Sequence, residues 1–260
     1  MPEVIHPTAV IHPSARLADG VEVGAFATIG PDVEVGPGTV IGAHAALEGP
    51  ARIGPNNRIH AFCAIGGPPQ DKKFQPDPRS RLEIGEGNTF REYVSVNRGT
   101  VHGGGTTRIG DQNWLMAYCH VAHDCQIGNY NVLANTTNLA GHVEIGNYVT
   151  LGGYTGVHQF CRVGDYGFTA IAAVVVRDVT PYIIAAGNIA RARGLNRVGL
   201  RRNGFSEPDM AVLKSVYRLF FRSKLPLDEA LREIESRYGG NDRVREFLEF
   251  VGGTRRGVIR

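Results

Sequence analysis

The chain has 260 residues, of which 42% are hydrophobic and 20% charged, so its composition is that of a folded protein and excludes a disordered one. Its 34 glycines lack the every-third-residue period of collagen, and its longest apolar runs, residues 171–176 and 182–186, are too short to cross a bilayer. The N-terminus has no basic start followed by an apolar stretch, so we expect no signal peptide and a cytoplasmic protein.

The net charge of +3 is unevenly distributed along the chain. From Ala190 onward 16 basic residues face 9 acidic ones, whereas the first 189 residues carry a net charge of −4. A basic C-terminal part on a mildly acidic body suggests an anionic ligand or partner there. The excess is modest and comes with no nucleic-acid-binding motif, so nucleic acid is not an expected partner.

A six-residue repeat dominates the first two thirds of the chain. Eleven aliphatic residues follow one another at intervals of six from Ile5 to Ile65; the register resumes at Ile84, and again from Ile109 to Val163. An α-helix repeats near 3.6 residues and a long strand near two, so a period of six indicates very short strands joined by turns. Hexapeptide repeats predict a parallel β-helix, with 18 residues per triangular coil, coils about 4.8 Å apart, and Gly or another small residue at the corners.

A second position, four residues after each aliphatic residue, carries small side chains. All four cysteines fall there, at Cys63, Cys119, Cys125 and Cys161. We therefore predict buried, reduced thiols rather than a disulfide or a metal site.

The repeat is interrupted near residues 67–81 and 97–108. The first segment is rich in proline and charge and the second contains three consecutive glycines. Loops that leave a rigid solenoid commonly carry its function.

Beyond residue 188 the pattern becomes helical, which predicts a β-helix over 1–188 and a helical C-terminal domain over 189–260. Ser206 precedes one predicted helix, with a proline in its first turn, and a second helix is predicted over 227–238. A third should begin after Asn241 and bury Val244, Phe247, Leu248 and Val251. We expect these helices to pack against the end of the solenoid.

The densest departure from the repeat lies at residues 118–125 and contains two histidines. His142 lies 19 residues after His123 and His158 16 residues after His142, each roughly one coil, which together with the nearby His120 predicts a column along the β-helix. One interpretation is a zinc site, as in hexapeptide-repeat carbonic anhydrases. The other is a general base that removes a proton from an attacking hydroxyl or amine, with Asp124 orienting His123. The sequence has no G-x-S-x-G motif, so an acyl-serine intermediate is not expected.

Several motifs together resemble the UDP-N-acetylglucosamine O-acyltransferases, over essentially the whole chain. They are the hexapeptide body followed by PQDKKF (69–74), NRGTV (97–101), HVAHDC (120–125), LAGH (139–142), VHQFC (157–161) and LRR (200–202).

The resemblance implies a homotrimer of left-handed β-helices with active sites between subunits and no cofactor. It implies transfer of an R-3-hydroxyacyl chain from acyl carrier protein to the glucosamine 3-hydroxyl of UDP-N-acetylglucosamine, the first step of lipid A biosynthesis. By resemblance His123 is the general base, Asp124 supports it, and the Gly141 N–H stabilises the oxyanion. The remaining implied roles are sugar-nucleotide binding by Asp71, Lys73, His120, His142 and Gln159, phosphate binding by Asn196 and Arg202, and the acyl or pantetheine path for His158.

The sequence departs from the family pattern at three positions. Asn203 stands where many members have a second arginine, and Asn97 stands where many have histidine. Ile171 aligns with the position that limits acyl length, which is glycine in members that take long chains, so a shorter chain is expected. The nucleophile, oxygen or a 3-amino nitrogen on the sugar, stays open.

Three other classes remain as alternatives. A related N-acyltransferase normally has a uridine-binding domain first, whereas this repeat begins at Ile5. A carbonic anhydrase places two histidines five apart on one coil, whereas His120 and His123 are three apart. A β-helical scaffold without catalysis would leave the histidines unexplained.

Overall fold

The fold is built from 28 short strands, four α-helices, a 3₁₀ turn (Val101–Gly103) and a π-helical turn (Arg218–Arg222), in a computed structural model that describes residues 4–260. In chain order the strands are β1 (Val4–Ile5), β2 (Val10–Ile11), β3 (Arg16–Leu17), β4 (Glu22–Val23), β5 (Thr28–Ile29), β6 (Val33–Val35), β7 (Val40–Ile41), β8 (Ala46–Leu47), β9 (Ala51–Ile53), β10 (Arg58–Ile59), β11 (Ala64–Gly67), β12 (Arg81–Ile84), β13 (Thr89–Phe90), β14 (Ser95–Asn97), β15 (Thr106–Ile109), β16 (Trp114–Leu115), β17 (His120–Val121), β18 (Gln126–Ile127), β19 (Val132–Leu133), β20 (Asn138–Leu139), β21 (Glu144–Ile145), β22 (Thr150–Leu151), β23 (Gly156–Val157), β24 (Arg162–Val163), β25 (Phe168–Thr169), β26 (Val174–Val175), β27 (Ile183–Ala186) and β28 (Arg191–Leu195).

The strands form a parallel β-helix, as the six-residue period predicts. From β4 to β26 each strand pairs in parallel with the third strand before it, so that β1, β2 and β3 begin three separate sheets. Val4 lies opposite Glu22 and Val10 opposite Thr28, which is a coil of 18 residues. The aliphatic positions point inward and are buried from Val23 onward, while those of the first coil are more exposed because they lie at the end of the stack.

The corners differ from the prediction. The residue with positive φ stands three positions after the aliphatic one, and it is frequently aromatic or polar, as at Phe26, His44 and Tyr148. The glycines directly after the aliphatic residues serve close packing between coils, since a Cβ at Gly24 would lie 2.6 Å from the Ala43 nitrogen. The prediction that small residues occupy the corners is therefore wrong, because side chains there project into solvent and can stack.

The prediction for the cysteines is confirmed. Within residues 4–260 all four are free and buried. Burial raises the pKa of the Cys63, Cys119 and Cys161 thiols to about 11 and that of Cys125 to about 12. These groups are packing residues and not reactive thiols.

The C-terminal part contains α1 (Arg197–Arg202), α2 (Glu207–Tyr217), α3 (Leu227–Tyr238) and α4 (Asp242–Gly252). The predicted helix starts at Ser206 and Asn241 are confirmed as side-chain caps, and the 227–238 helix has the predicted bounds. Leu248 is only partly buried. The expectation of a helical region over 189–260 is wrong at β28, which pairs antiparallel with β27. The helix α1, which follows β28, was not predicted from the sequence pattern.

The helices pack on the last coils of the β-helix. The Thr254 hydroxyl donates to the Asp178 carboxylate at 2.5 Å, and the Arg162 guanidinium lies 4.3 Å from the centre of the Phe250 ring. Tyr182 donates a hydrogen bond to Glu246. Among residues 4–260 no helix is long and apolar enough to span a membrane.

Candidate active site

Two loops leave the β-helix and enclose a pocket of about 720 Å³ along one edge. The first loop, 68–80, joins β11 to β12, and the second, 98–105, joins β14 to β15. Both predicted interruptions of the repeat are therefore confirmed as loops. Residues lining the pocket include Asp71, Lys73, Thr100, His102, His123 and His142.

His123, which lines this pocket, forms a pair with the carboxylate behind it. His123 Nδ1 and Asp124 Oδ2 are 2.8 Å apart, and the Asp124 side chain is completely buried. An ionised carboxylate only accepts hydrogen bonds, so Nδ1 carries the proton and Nε2 keeps its lone pair. Such an imidazole can accept a proton at Nε2 while the carboxylate stabilises the resulting cation.

The Asp124 carboxylate is held by the second loop. Thr100 donates its backbone N–H to Oδ1 at 2.9 Å and its hydroxyl to Oδ2 at 2.6 Å. Burial by itself would raise the pKa of Asp124, but the hydrogen bonds from His123 and Thr100 outweigh burial, and the pKa lies below its usual range. Asp124 is therefore ionised at neutral pH beside His123.

Gly141 lies directly against the His123 ring. A Cβ at position 141 would lie 2.6 Å from His123 Cε1 and 2.9 Å from Nε2, so only glycine fits without moving the ring. The Gly141 N–H has no hydrogen-bond acceptor within residues 4–260. A free backbone donor on the residue that packs against the basic ring is available to an oxyanion.

His142 is a second imidazole close to Asp124. Its ring meets that of His123 edge-on at 5.2 Å and stacks on Phe160 at 4.5 Å, and its Nε2 is 3.7 Å from Asp124 Oδ2, beyond hydrogen-bonding distance. Burial is the main cause that lowers the pKa of His142. It therefore favours the neutral ring near pH 7.

His120 and His158 stand apart from the pair. His120 Nδ1 is 2.7 Å from Ser95 Oγ, and burial lowers the pKa of its ring. His158 and Gln159 are both exposed, and His158 Nδ1 lies 3.2 Å from the Gln159 carbonyl oxygen. The predicted column is therefore confirmed only for His123 and His142, whose rings meet across successive coils, while no hydrogen bond or ring contact within residues 4–260 joins His120 or His158 to them.

The remaining predicted site residues lie elsewhere in this single chain. Asn196 caps α1 through Gly199 N–H and donates to the Tyr166 carbonyl at 2.8 Å. Arg202 is exposed at the end of α1, and neither residue lines the pocket. Ile171 is 72% exposed at a turn of the β-helix.

The donor atoms of His123, Asp124 and His142 lie within 4.8 Å of one another, which is close enough to share a metal ion. However, Asp124 Oδ2 already accepts hydrogen bonds from His123 and the Thr100 hydroxyl. Direct ligation by Oδ2 would compete with both of these hydrogen bonds, whereas proton transfer at His123 Nε2 uses the pair as it stands.

Thr100 is the contributor that sequence reasoning missed. It occurs in the NRGTV segment quoted for the resemblance, yet it lies 24 residues before Asp124 and nothing in the local pattern links the two. The available signal was its place at the start of a glycine-containing loop that leaves the rigid repeat.

A hexapeptide β-helix with a histidine–carboxylate pair and a free N–H at one edge defines the class of hexapeptide-repeat acyltransferases. Residues 106–141 match the family model "Bacterial transferase hexapeptide (six repeats)", and residues 178–259 match "Udp N-acetylglucosamine O-acyltransferase; Domain 2".

Comparison with known proteins identifies which hexapeptide-repeat acyltransferases this chain resembles. The acyl-[acyl-carrier-protein]–UDP-N-acetylglucosamine O-acyltransferase of Neisseria meningitidis serogroup B is 54% identical, with 99% of each chain covered. The crystal structure of the Moraxella catarrhalis UDP-N-acetylglucosamine O-acyltransferase matches with a TM-score of 0.95 at 42% identity, covering 98% of this chain and 99% of that one. The Francisella novicida UDP-N-acetylglucosamine acyltransferase matches with a TM-score of 0.96 at 39% identity, covering 99% and 94%.

The chain therefore belongs to the acyl-[acyl-carrier-protein]–UDP-N-acetylglucosamine O-acyltransferase family. Its fold is a left-handed parallel β-helix with a helical C-terminal region, and it is an acyltransferase.

Proposed function

We propose that this chain transfers an R-3-hydroxyacyl group from acyl carrier protein to the 3-hydroxyl of UDP-N-acetylglucosamine, the first step of lipid A biosynthesis, with His123 as the general base. The observation that carries the proposal is the His123–Asp124 pair, whose free Nε2 lies against Gly141 in the loop-covered pocket. Family membership gives the two substrates.

The reaction needs no covalent enzyme intermediate. His123 Nε2 takes the proton of the sugar hydroxyl, whose oxygen attacks the thioester carbonyl. The Gly141 N–H donates to the oxyanion of the tetrahedral intermediate. When the carbon–sulfur bond breaks, the carrier thiolate leaves and takes the proton from the His123 imidazolium, which Asp124 has stabilised.

Substrate binding extends from the pocket to a neighbouring subunit. Asp71, Lys73, His120, His142 and Gln159 bind the sugar nucleotide, and His158 lies along the acyl or pantetheine path. Because Asn196 and Arg202 do not line the pocket of their own chain, phosphate binding by them requires a second copy, which supports the proposal of a homotrimer with shared sites. The basic C-terminal part suits both a diphosphate and an acidic carrier protein. The free, buried thiols suit a reducing compartment, which supports a cytoplasmic location.

Ile171 limits the acyl chain in this proposal. Its branched side chain projects from the β-helix surface and would close the end of an acyl groove. A shorter 3-hydroxyacyl chain is therefore the expected substrate. Because one methylene in an apolar pocket is worth roughly 10- to 200-fold in discrimination, Ile171→Gly should shift the preference to longer donors.

The test is a transfer assay with UDP-N-acetylglucosamine and R-3-hydroxyacyl carrier proteins of increasing length, using wild type, His123→Ala and Ile171→Gly. Transfer by wild type that collapses in His123→Ala supports the base, and a preference for short donors that lengthens in Ile171→Gly supports the length limit. A wild-type preference for the longest donors contradicts the role of Ile171.

Absence of transfer from every donor contradicts the O-acyl proposal and makes the 3-amino sugar the next acceptor to test. Metal analysis of the purified protein addresses the zinc alternative: a stoichiometric ion whose removal abolishes activity contradicts the metal-free mechanism.

A further inference from the structure

We propose that Thr100 is a positioning residue that directs the Asp124 carboxylate to His123 and away from His142. The inference rests on the proposed role of His123 as the base. It concerns how one buried anion, flanked by two imidazoles, serves only one of them.

Thr100 holds both oxygens of the carboxylate at once. Its N–H reaches Oδ1 at 2.9 Å and its hydroxyl reaches Oδ2 at 2.6 Å, so the carboxylate plane is fixed from one side. Asp124 is fixed at its backbone as well, because its N–H donates to Thr107 Oγ1 at 2.8 Å. With these bonds in place, Oδ2 lies 2.8 Å from His123 Nδ1.

The competing imidazole is close. His142 Nε2 lies 3.7 Å from the same Oδ2 atom, so a modest rotation of the carboxylate would bring the two into hydrogen-bonding distance. His123 would then lose the acceptor that keeps its proton on Nδ1 and its lone pair on Nε2. The hydroxyl of Thr100 opposes this rotation because moving Oδ2 away would leave the hydroxyl without its acceptor.

The loop that carries Thr100 is itself anchored to the β-helix. Gly99 N–H donates to the Arg81 carbonyl at 3.0 Å, and the Ser80 hydroxyl donates to the Gly99 carbonyl at 2.5 Å. The Thr100 carbonyl accepts from the N–H groups of Gly103 and Gly105. Gly103 packs so closely on Asp124 and His142 that a side chain there would collide with both. Thr100 is thus held rigidly enough to orient another group.

The experiment compares Thr100→Val with Thr100→Ser. Valine keeps the shape and the N–H and removes the hydroxyl; the Gly103 N–H, which the hydroxyl accepts at 3.1 Å, keeps the Thr100 carbonyl as its acceptor. We therefore expect kcat to fall by roughly 10- to 100-fold while KM for UDP-N-acetylglucosamine changes by less than about twofold. Serine restores the hydroxyl and should recover most of the rate. Thr89→Val is the matched control, since the Thr89 hydroxyl makes no hydrogen bond within residues 4–260 and β13, which carries it, belongs to a different sheet from β14 and β15, which flank the Thr100 loop.

A second comparison separates positioning from a general loss of structure. In an Asp124→Ala background there is no carboxylate to orient, so adding Thr100→Val should reduce the remaining rate by less than about twofold. Alanine is compatible with the left-handed backbone of this turn, as Ala172 shows with φ 56°. Full additivity of the two substitutions, or a Thr100→Val enzyme as fast as wild type, overturns the inference. An inactive wild type would instead contradict the proposed function.

Discussion

Two edges of the same β-helix have the same backbone and different uses. At the tyrosine edge, Tyr130, Tyr148 and Tyr166 occupy successive coils with φ between 56° and 58°. At the histidine edge, Asp124, His142 and Phe160 occupy the equivalent turns with φ between 62° and 64°. The corner geometry is therefore common to both, and the difference lies in the side chains.

The tyrosine edge repeats one solution. Its rings stack at 4.9 and 5.0 Å, and beside them Asn129 N–H donates to Asn147 Oδ1 while Asn147 N–H donates to Asp165 Oδ1. The histidine edge changes residue type at every coil and is covered by two loops. Repetition stabilises the coils, whereas a departure from repetition places reactive groups at a defined spacing. The following substitutions test that distinction.

The largest effect is expected from His123→Ala. Removing the imidazole that accepts the proton should reduce kcat by roughly 10³- to 10⁴-fold. The fold should be unchanged because the ring is not part of the core. Initial rates of acyl transfer measure this. His44→Ala is the control at a third edge, where His44 stacks between Phe26 and Phe62, and it should keep full activity. Equal losses in both variants would contradict a special role for the histidine edge.

A smaller loss is expected from Gly141→Ala. The new methyl group would lie 2.6 Å from the His123 ring, so the ring must move although the N–H at position 141 remains. We expect a reduction in kcat on the order of 10²-fold. Gly156→Ala is the matched control, because a Cβ there meets nothing within 4 Å. If Gly141→Ala is as active as this control, the close approach of Gly141 to His123 has no catalytic role.

At the tyrosine edge the expected effect is on stability alone. Tyr148→Ala removes the stacking contacts with Tyr130 and Tyr166 and should lower the free energy of unfolding by about 1–3 kcal/mol. Denaturant unfolding and the transfer assay measure the two properties separately. Tyr148→Phe keeps the ring and should restore stability. A Tyr148→Ala enzyme that is folded but inactive would show that this edge also serves function.

The sequence predicts the β-helix well because one physical rule repeats. An inward aliphatic residue every six positions fixed the strands, the coil length and the burial of all four cysteines. It could not predict β28 or α1, where the repeat has ended and the pairing of β27 with β28 depends on tertiary contacts. It also misjudged the corners, since an outward side chain leaves no trace in the hydrophobic pattern.

The candidate site could be predicted only in part. His123 beside Asp124 is local, so adjacency in sequence gives adjacency in space. The link from Asp124 to Thr100 crosses a loop, and the unequal intervals between His123, His142 and His158 conceal which of them meet. Contacts of this kind follow from loop conformation and coil register together.

The smallest expected effect is the pH dependence contributed by His142. Burial holds its pKa in the folded chain below the ordinary value of 6.5, so between those two values the unfolded chain binds more protons than the folded one. The contribution of His142 to the free energy of unfolding is therefore fully present above about pH 7, and it is lost as the pH drops through 6.5 toward the folded pKa. One pKa unit corresponds to about 1.4 kcal/mol, and because the ring is partly exposed we expect a contribution of less than about 1 kcal/mol.

The measurement is urea unfolding of wild type and His142→Gln at several values between pH 5 and pH 8. The difference between the two proteins removes the contribution of every shared group, and the variant should lose less stability than wild type toward pH 5. The same loss in both, or a greater loss in the variant, would show that the folded chain does not favour neutral His142.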